Sequence, residues 1–577
     1  MKTAAWVKAG FLALALTLGC FFGVQQLLPP RVPESLKEEA ITLMEAQEGP
    51  DLQLMLSHIK AMASQVHSVD SDGIRVTHAY LEDQLTRMGF PFQKDEYQLT
   101  MDEVLALQKE RADYRKAEFA DTEADVRDYS GIGAKPTMNL TNIYAHVDAP
   151  DTRETIFFVA HTDSVKMGPG AFDDTVSVAA MLEGMRRLEG LTLKRDLVFL
   201  FTDGEEQALL GAALFVRDHP EFREATRLVI NLEARGNRGA LLMFETSGRN
   251  LGIVREYSRA VSLPFSFSIA TAVYRSMQND TDLTRFLMEG YPGMNLAVIE
   301  GAEVYHTAED NIKTYSRGSA QHYLDTVTEL AAHFAAAETL ELEQAEDSVH
   351  FPLFPGNLLV LSQSTANSIS FLAFLLTLLL LLALLVNRRV KPGALLLSIA
   401  AQLLWTAIAA GVSLLAVNLI LKANSLTGYR QILQFQGALP IFYGMLAAFA
   451  LLSLAFFLVL QKKLKSPCSI ALGVLIVPAV LALATTFVFP SVSYLFALPV
   501  LAGLIVIMLS LAFRPGAALF GALGGVLTLL LFVPIVLLVY VALGFGQAYL
   551  SVALAQIPLT MIWGLFGLAW EKKPAAG

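Results

Sequence analysis

Acidic and imidazole side chains recur at the ends of apolar, strand-like segments in the first half of the 577-residue chain. The segment FLFTDGEEQALLGA places two adjacent glutamates, Glu205 and Glu206, just after such a run. Neighbouring carboxylates at the end of a buried strand repel each other, so something must offset their charge. A bound cation is one explanation, and an acidic first helical turn favoured by the helix dipole is the other.

Four further segments carry polar, ligand-type residues at or after the end of an apolar run. They are FFVAHTDSV with His161 and Asp163, GPGAFDDTVS with Asp173 and Asp174, VINLEARG with Glu233, and AEVYHTAEDN with His306. Taken singly, each has an ordinary explanation, such as an N-cap for the two aspartates before a helix. Together they favour a metal site, because loops at the carboxyl ends of strands converge on one crevice in an open α/β sheet.

Carboxylate and imidazole ligands together suit zinc, with Mn²⁺ or Co²⁺ as substitutes. A catalytic zinc takes about three protein ligands, so this set is too large for one ion. Two ions about 3.5–4 Å apart that share one carboxylate would use the whole set. One glutamate of the adjacent pair would then bind metal, and the other would act as a general base.

The elements that must position these residues have the pattern of an α/β domain. Strand-like segments TIFFVAH, DLVFLFT, RLVINLEA, ALLMFET and MNLAVIEG alternate with helical patterns such as SVAAMLEGMRRLEG and ALLGAALFVRDHP. This alternation predicts a mixed, largely parallel sheet covered by helices on both faces. The charged segment DEVLALQKERADYRKAEFADTEADVRDYSG is predicted to be a solvated helical insertion.

Composition divides the chain into three parts. Residues 1–29 hold an apolar run that we predict to be a retained anchor helix, with a cleaved signal peptide as the alternative. Residues 30–350 form the globular domain, and the proline-rich segment PPRVPESLKEE, which starts at Pro29, leads into it. Residues 351–577 hold about seven apolar spans. The net charge is −11, yet Glu571 is the only acid after about residue 350, against eleven Lys and Arg. The globular part is therefore strongly acidic, which argues against nucleic acid as a partner.

Short basic loops predict the orientation in a lipid bilayer. NRRVK at 387–391, QKKLK at 461–465, FRPG at 513–516 and EKK at 571–573 fall on one side if the spans alternate. The positive-inside rule then places the globular domain on the extracytoplasmic face. The short basic start and the lack of cysteines in the globular part favour the periplasmic side of a bacterial inner membrane, with the lumen of the endoplasmic reticulum or vacuole as the alternative.

The spans themselves offer little chemistry. None has an ionisable residue at its centre, which argues against ion-coupled transport. Gln402, Asn418, Gln436 and Gln556 are predicted to form hydrogen bonds between helices or to lie at the ends of the spans.

The ordered motifs resemble the co-catalytic zinc aminopeptidase family, which also includes glutaminyl cyclases and transferrin-receptor-like proteins. The similarity covers about residues 55 to 340, where GIRVTHAYLEDQLTRMGF resembles the family's first amphipathic helix and TNIYAHV the strand after it. The multi-span half makes the chain most similar to the membrane-anchored branch, the vacuolar membrane proteases and endoplasmic-reticulum metallopeptidases (Fxna-like). This resemblance implies a membrane-anchored, zinc-dependent exopeptidase, an aminopeptidase acting on peptides.

The resemblance also implies a role for each residue. His161 and Glu233 would bind the first zinc, Glu206 and His306 the second, and Asp173 would bridge the two ions. Glu205 would be the general base, and Asp163 would orient His161. Tyr305 could stabilise the oxyanion or pack as part of the pocket wall. In QNDTDLTRF, which resembles a family segment near the substrate pocket, Asp280 and Asp282 could instead cap the following helix.

Three other functions remain open at this point. A glutaminyl cyclase has the same fold and uses one zinc. Deacylases and carboxypeptidases share similar motifs but usually insert a dimerisation domain after the glutamates, whereas only 26 residues separate Glu206 from Glu233 here. A receptor or scaffold with an inactive peptidase domain is the third alternative, and the complete set of ligand-type residues argues against it.

Overall fold

The structure is a computed structural model that describes residues 2–32, 51–118, 137–150, 152, 154–275, 277 and 279–570. It divides into a globular unit, residues 28–360, and a helical unit, residues 1–27 and 361–577. Most of the predicted proline-rich linker, the second half of the charged insertion and the basic segment at 571–573 lie outside the described residues.

A seven-stranded sheet forms the centre of the globular unit. Its strands are β1 (Phe92–Thr100), β2 (Thr137–Val147), β3 (Thr155–His161), β4 (Asp196–Thr202), β5 (Thr226–Ala234), β6 (Leu242–Thr246) and β7 (Gly293–Val298), in the order β1-β2-β4-β3-β5-β7-β6. The four central strands β4, β3, β5 and β7 are parallel. The strands β1, β2 and β6 pair antiparallel with their neighbours. The predicted mixed, largely parallel sheet is confirmed.

Helices cover both faces of this sheet. The globular unit contains α2 (Leu52–Met62), α3 (Asp72–Arg87), α4 (Met101–Glu118), α5 (Thr175–Arg186), α6 (Leu210–Asp218), α7 (Phe222–Ala225), α8 (Leu251–Ala260), α9 (Ser268–Arg275), α10 (Asp282–Met288) and α11 (Arg317–Ala336). A separate two-stranded sheet, β8 (Ser348–Phe354) and β9 (Asn357–Ser362), follows.

The central strands are buried on both sides, as the side chains of β3 show. Phe158 and Ala160 belong to the core that includes residues of α5 and α11. Phe157 and Val159 belong to a second core with residues of α6 and α10. A strand that packs against helices on both faces needs an unbroken apolar sequence, which is why TIFFVAH does not alternate.

The helical unit consists of α1 (Lys2–Gln25), α12 (Gln363–Val386), α13 (Pro392–Ala423), α14 (Tyr429–Leu433), α15 (Ala438–Leu464), α16 (Pro467–Val488), α17 (Ser493–Ala512), α18 (Ala517–Leu543) and α19 (Ala548–Phe566). Within the described residues, eight helices are long and apolar enough to cross a membrane. The predicted hydrogen bonds between helices are confirmed for Gln402 and Gln556. Gln402 Nε2 donates to Thr560 Oγ1 over 2.9 Å, and Trp405 Nε1 donates to Gln556 Oε1 over 2.9 Å.

Candidate metal centre

The carboxyl ends of the central strands carry the predicted site residues. His161 is the last residue of β3, and Glu233 is the penultimate residue of β5. Glu205 and Glu206 form a short 3₁₀ turn after β4, and Asp173 lies shortly before α5. His306 lies in the turns that follow β7. Parallel strands end at the same edge of a sheet, so residues distant in sequence meet there.

The structure brings these residues into two groups that share Asp173. In the first group, His161 Nε2 lies 3.4 Å from Asp173 Oδ1 and 3.8 Å from Glu233 Oε2. In the second, His306 Nε2 lies 3.1 Å from Asp173 Oδ2 and 3.1 Å from Glu206 Oε1. The two oxygens of Asp173 therefore face different groups.

Both groups have the dimensions and the chemistry of a metal site. Ligands about 2.0–2.2 Å from a tetrahedral zinc lie about 3.3–3.6 Å from one another, close to the separations found here. Four of the facing atoms are buried and lack a hydrogen-bond partner among the described residues: His161 Nε2, Asp173 Oδ2, Glu206 Oε1 and His306 Nε2. Buried polar atoms are rarely left unsatisfied, so these four atoms fit a pair of divalent cations.

The tautomer of His161 is set by the main chain of Asp163. The His161 Nδ1–H donates to the carbonyl oxygen of Asp163 over 2.8 Å. Because a carbonyl can only accept, the proton is on Nδ1, and the lone pair of Nε2 faces Asp173 and Glu233.

Asp163 contacts His161 through both its carbonyl and its carboxylate, and the carboxylate has further partners. Its carboxylate is 3.5 Å from His161 Nδ1. It accepts the backbone N–H groups of Glu205 over 3.0 Å and of Glu206 over 3.3 Å. The carbonyl of Asp163 thus orients His161, whereas its carboxylate holds the glutamate pair in place.

The adjacent glutamates differ in their surroundings. Glu206 is 8% exposed and faces His306, whereas Glu205 is partly exposed. Burial is the main cause that raises the pKa of both carboxyls, and the charge of Glu206 raises the pKa of Glu205 further. The main chain also turns sharply after them, since Ala208 and Leu209 have φ values of 82° and 62°. Arg285 Nη2 donates to the carbonyl oxygen of Ala208 over 3.1 Å and so supports this turn.

Two further aspartates lie beside Asp173. Asp174 occupies the N-cap position of α5 without a side-chain capping bond and accepts the hydroxyl of Ser177. Asp310, which is 4% exposed, accepts the backbone N–H groups of Phe172 over 3.0 Å and Asp173 over 3.1 Å. Asp310 thereby ties the segment of His306 to the segment of Asp173. The sequence analysis missed it, since nothing in its local sequence signals this contact.

Residues near the site include Tyr305, whose ring stacks on His306 with centroids 3.7 Å apart. Neither Asp280 nor Asp282 caps a helix, because Thr281 is the N-cap residue of α10. Asp282 accepts the hydroxyl of Thr202, and Asp280 pairs with Arg111 over 3.1 Å. Asp282 is therefore a buried carboxylate of α10 that contacts the last residue of β4. Its charge raises the pKa of Glu205, although burial has the larger effect.

An α/β sheet with two carboxylate–imidazole groups at its strand ends is an arrangement typical of metal-dependent hydrolases. Comparison with known proteins agrees with this class. Residues 142–331 match the family model described as "Peptidase family M28", and the resemblance predicted from the sequence is confirmed.

Named relatives support the same assignment. The chain is 35% identical to "Endoplasmic reticulum metallopeptidase 1" of Mus musculus over 208 residues. This aligned region covers 35% of this chain and 23% of that protein. It is 28% identical to "Vacuolar membrane protease" of Clavispora lusitaniae over 290 residues. This aligned region covers 50% of this chain and 26% of that protein. The chain spans less than half the length of these relatives. Both relatives are named as peptidases, in agreement with the family match.

Among solved structures, the globular part is similar to "Aminopeptidase from Aneurinibacillus sp. strain AM-1". The two share 16% sequence identity with a TM-score of 0.40, and the match covers 52% of this chain and 97% of that chain.

Proposed function

We propose that the chain is a membrane-anchored, zinc-dependent aminopeptidase that removes N-terminal residues from peptides. The observation that carries this proposal is the pair of ligand groups joined through Asp173. His161 and Glu233 would hold one zinc, Glu206 and His306 the other, and one oxygen of Asp173 would face each ion.

The proposed chemistry is hydrolysis of a peptide bond. Two divalent cations, when bound, would lower the pKa of a water molecule and polarise the scissile carbonyl. Glu205 would take the proton of this water and pass it to the leaving amine. Its partly exposed position supports that role, because it can reach substrate while Glu206 faces His306.

The acidity of the site supports a preference for a free N-terminus. The charged groups that act on Glu205 are His161 and the three carboxylates of Glu206, Asp282 and Asp163. A peptide's N-terminal ammonium group is attracted to such a cluster, whereas an acylated N-terminus carries no charge. Tyr305, whose ring stacks on His306, would donate its hydroxyl to the oxyanion.

The test is hydrolysis by the full-length chain purified in detergent. We expect release of amino acids from aminoacyl amides, no release from their N-acetyl counterparts, and full activity only when at least two zinc ions are bound per chain. Cyclisation of N-terminal glutamine with a single zinc would instead support a glutaminyl cyclase and would contradict the proposal.

A paired substitution separates chemistry from folding. Glu205→Gln should lower kcat by about 10²–10⁴-fold, the usual contribution of a general base, while the zinc content stays at the wild-type level. Glu189→Gln, at an exposed position outside the site, should match the wild type in both measurements. An active Glu205→Gln variant would exclude the proposed base.

A further inference from the structure

A third group of ligand-type side chains lies at the opposite ends of the strands from the proposed catalytic groups. His146 is the penultimate residue of β2, Asp148 follows that strand, and Asp196 is the first residue of β4. Because β2 and β4 pair antiparallel, with Val147 opposite Leu197, the three residues meet at the amino end of β4. The proposed catalytic groups lie at the carboxyl ends of the parallel strands, so this third group is separate from them.

The distances within this group leave room for an ion. His146 Nε2 lies 3.6 Å from Asp148 Oδ1 and 3.7 Å from Asp196 Oδ2, and one ligand atom from each residue lies within 4.8 Å of the others. These separations are too long for direct hydrogen bonds. They match the 3.4 and 3.8 Å between His161 and its two carboxylates. The buried Nε2 atom of His146 has no hydrogen-bond partner among the described residues.

Neighbouring residues hold two of the three side chains in place. Asp196 Oδ1 accepts the backbone N–H of Ala149 over 2.7 Å, which leaves its other oxygen facing His146. The His146 ring packs edge to face against Phe222, with centroids 5.8 Å apart. Asp196 is 13% exposed and Asp148 is 82% exposed, so an ion could enter from solvent on the side of Asp148.

We propose that His146, Asp148 and Asp196 bind one divalent cation of the zinc type. A neutral imidazole and two carboxylates balance the charge of the ion, and three protein ligands leave a position for water. The ion would link the segment after β2 to the start of β4. Because such a site exists only in the folded chain, the ion would stabilise the fold.

The chain provides a matched control in His219. This histidine also lies between two carboxylates, but its Nε2 is 2.9 Å from Asp95 Oδ2 and its Nδ1 is 3.0 Å from Glu221 Oε1. Both contacts are direct hydrogen bonds made by different ring nitrogens, which leaves no space between ligands for an ion. We therefore expect His219 to bind no metal, although it lies beside two carboxylates as His146 does.

The test is zinc binding to the full-length chain in detergent. Metal-free wild type, His146→Ala, Asp148→Asn, Asp196→Asn and His219→Ala would be titrated with zinc against a competing chelator. We expect His146→Ala to bind one zinc fewer than wild type, and each Asp→Asn variant to bind that zinc at least ten-fold more weakly. His219→Ala should bind as the wild type does. Asp148 is largely exposed, so Asp148→Asn keeps the test valid should His146→Ala fail to fold.

Equal zinc binding by the wild type, His146→Ala and Asp148→Asn would overturn this inference. Loss of one zinc in His219→Ala as well would do the same, because it would show unspecific surface binding. The result is a difference between variants, so it does not depend on the proposed peptidase activity. If His146→Ala binds as much zinc as the wild type and is active as a peptidase, only this inference is refuted. If His146→Ala binds one zinc fewer but neither it nor the wild type has peptidase activity, only the proposed function is refuted.

Discussion

At the scale of single residues, the site depends on carboxylates that are themselves held by hydrogen bonds. The Asp163 carboxylate accepts the backbone N–H groups of Glu205 and Glu206, and Asp310 does the same for Phe172 and Asp173. Such contacts fix the ligand-bearing main chain before any ion binds. Groups that orient metal ligands typically change metal affinity by about 10–100-fold when they are removed.

Asp310→Asn tests this dependence. One carboxylate oxygen becomes an amide nitrogen, which cannot accept the N–H of Phe172 or Asp173, so one buried N–H group loses its acceptor. We expect the zinc held near His306 to bind about 10–100-fold more weakly, measured by competition with a chelator. Asp347→Asn is the control, because Asp347 also accepts a backbone N–H, that of Asn250 over 3.2 Å, outside the site. A folded Asp310→Asn chain with wild-type zinc affinity would show that Asp310 has no positioning role.

Residue types near the site could be predicted from the sequence, whereas these supporting contacts could not. Strand-end positions identify His161 and Glu233 because a polar residue at the end of an apolar run is visible in the sequence. The contact of Asp310 with the main chain of Asp173 joins loops 137 residues apart. It depends on the path of both loops, which no local pattern encodes.

At the scale of elements, close approach of two loops shapes the site. A Cβ atom on Gly168, in the segment after β3, would lie 2.1 Å from the carbonyl oxygen of Thr307, the neighbour of His306. Only glycine permits this distance. The separation between the segment of Asp173 and that of His306 therefore depends on a residue that has no chemical role.

Gly168→Ala should separate these two segments. Because real Cβ contacts are longer than 2.1 Å, the His306 segment would have to move by about 1 Å, and a shift of that size can cost about 10²-fold in rate. We expect a fall of this order in kcat/KM for an aminoacyl amide. Gly248→Ala, where a Cβ atom meets nothing within 4 Å, should retain the wild-type rate. Equal rates for both variants would show that the loop spacing is not limiting.

Small residues also determine how α1 packs within the helical unit. Cβ atoms on Gly19 and Gly23 would lie 2.7 Å from Leu529 Cβ and 2.8 Å from Val533 Cβ of α18. This spacing of two glycines four residues apart is typical of closely packed helices in membranes.

Gly19→Val should therefore destabilise the purified chain. Overpacking of this kind costs about 1–3 kcal/mol, which should lower the unfolding temperature in detergent. Gly10→Val is the matched control in the same helix, since a Cβ atom there meets nothing within 4 Å. If both variants unfold at the wild-type temperature, the close contact between α1 and α18 does not contribute to stability.

Local sequence patterns predicted the central elements better than the peripheral ones. The central strands β3, β4, β5 and β7, the buried edge strand β6 and the apolar helices have long apolar sequences because other side chains or lipid surround them. Strand β1 lies at the edge of the sheet and is mostly exposed, and its sequence FQKDEYQLT has no apolar run. Its pairing with β2 stabilises it instead, and this pairing is not visible in the sequence of β1.

At the scale of the whole molecule, the distribution of basic residues predicts an orientation in the membrane. If the eight helices alternate in direction, Arg388, Arg389, Lys391, Lys462, Lys463, Lys465 and Arg514 share one side, and Lys422 and Arg430 lie on the other. From the positive-inside rule we propose that the globular unit lies on the extracytoplasmic side, where it would meet peptides outside the cytoplasm.

Labelling of single cysteines tests this orientation. In a chain with Cys20→Ser and Cys468→Ser, we expect Glu189→Cys in the globular unit to react with a membrane-impermeant maleimide on intact cells. Asn387→Cys, in an exposed loop of the basic side, should react only after permeabilisation, and Asn424→Cys should behave as Glu189→Cys does. The reverse pattern would place the globular unit in the cytoplasm.

The central claim is that five side chains from four strand ends and the loops after them hold two divalent ions. Anomalous X-ray scattering from zinc-loaded crystals of the full chain tests it most directly. We predict two peaks about 3.5–4 Å apart, one beside His161 Nε2 and the other beside His306 Nε2, with Asp173 between them. A single peak or no peak at this position would contradict the account.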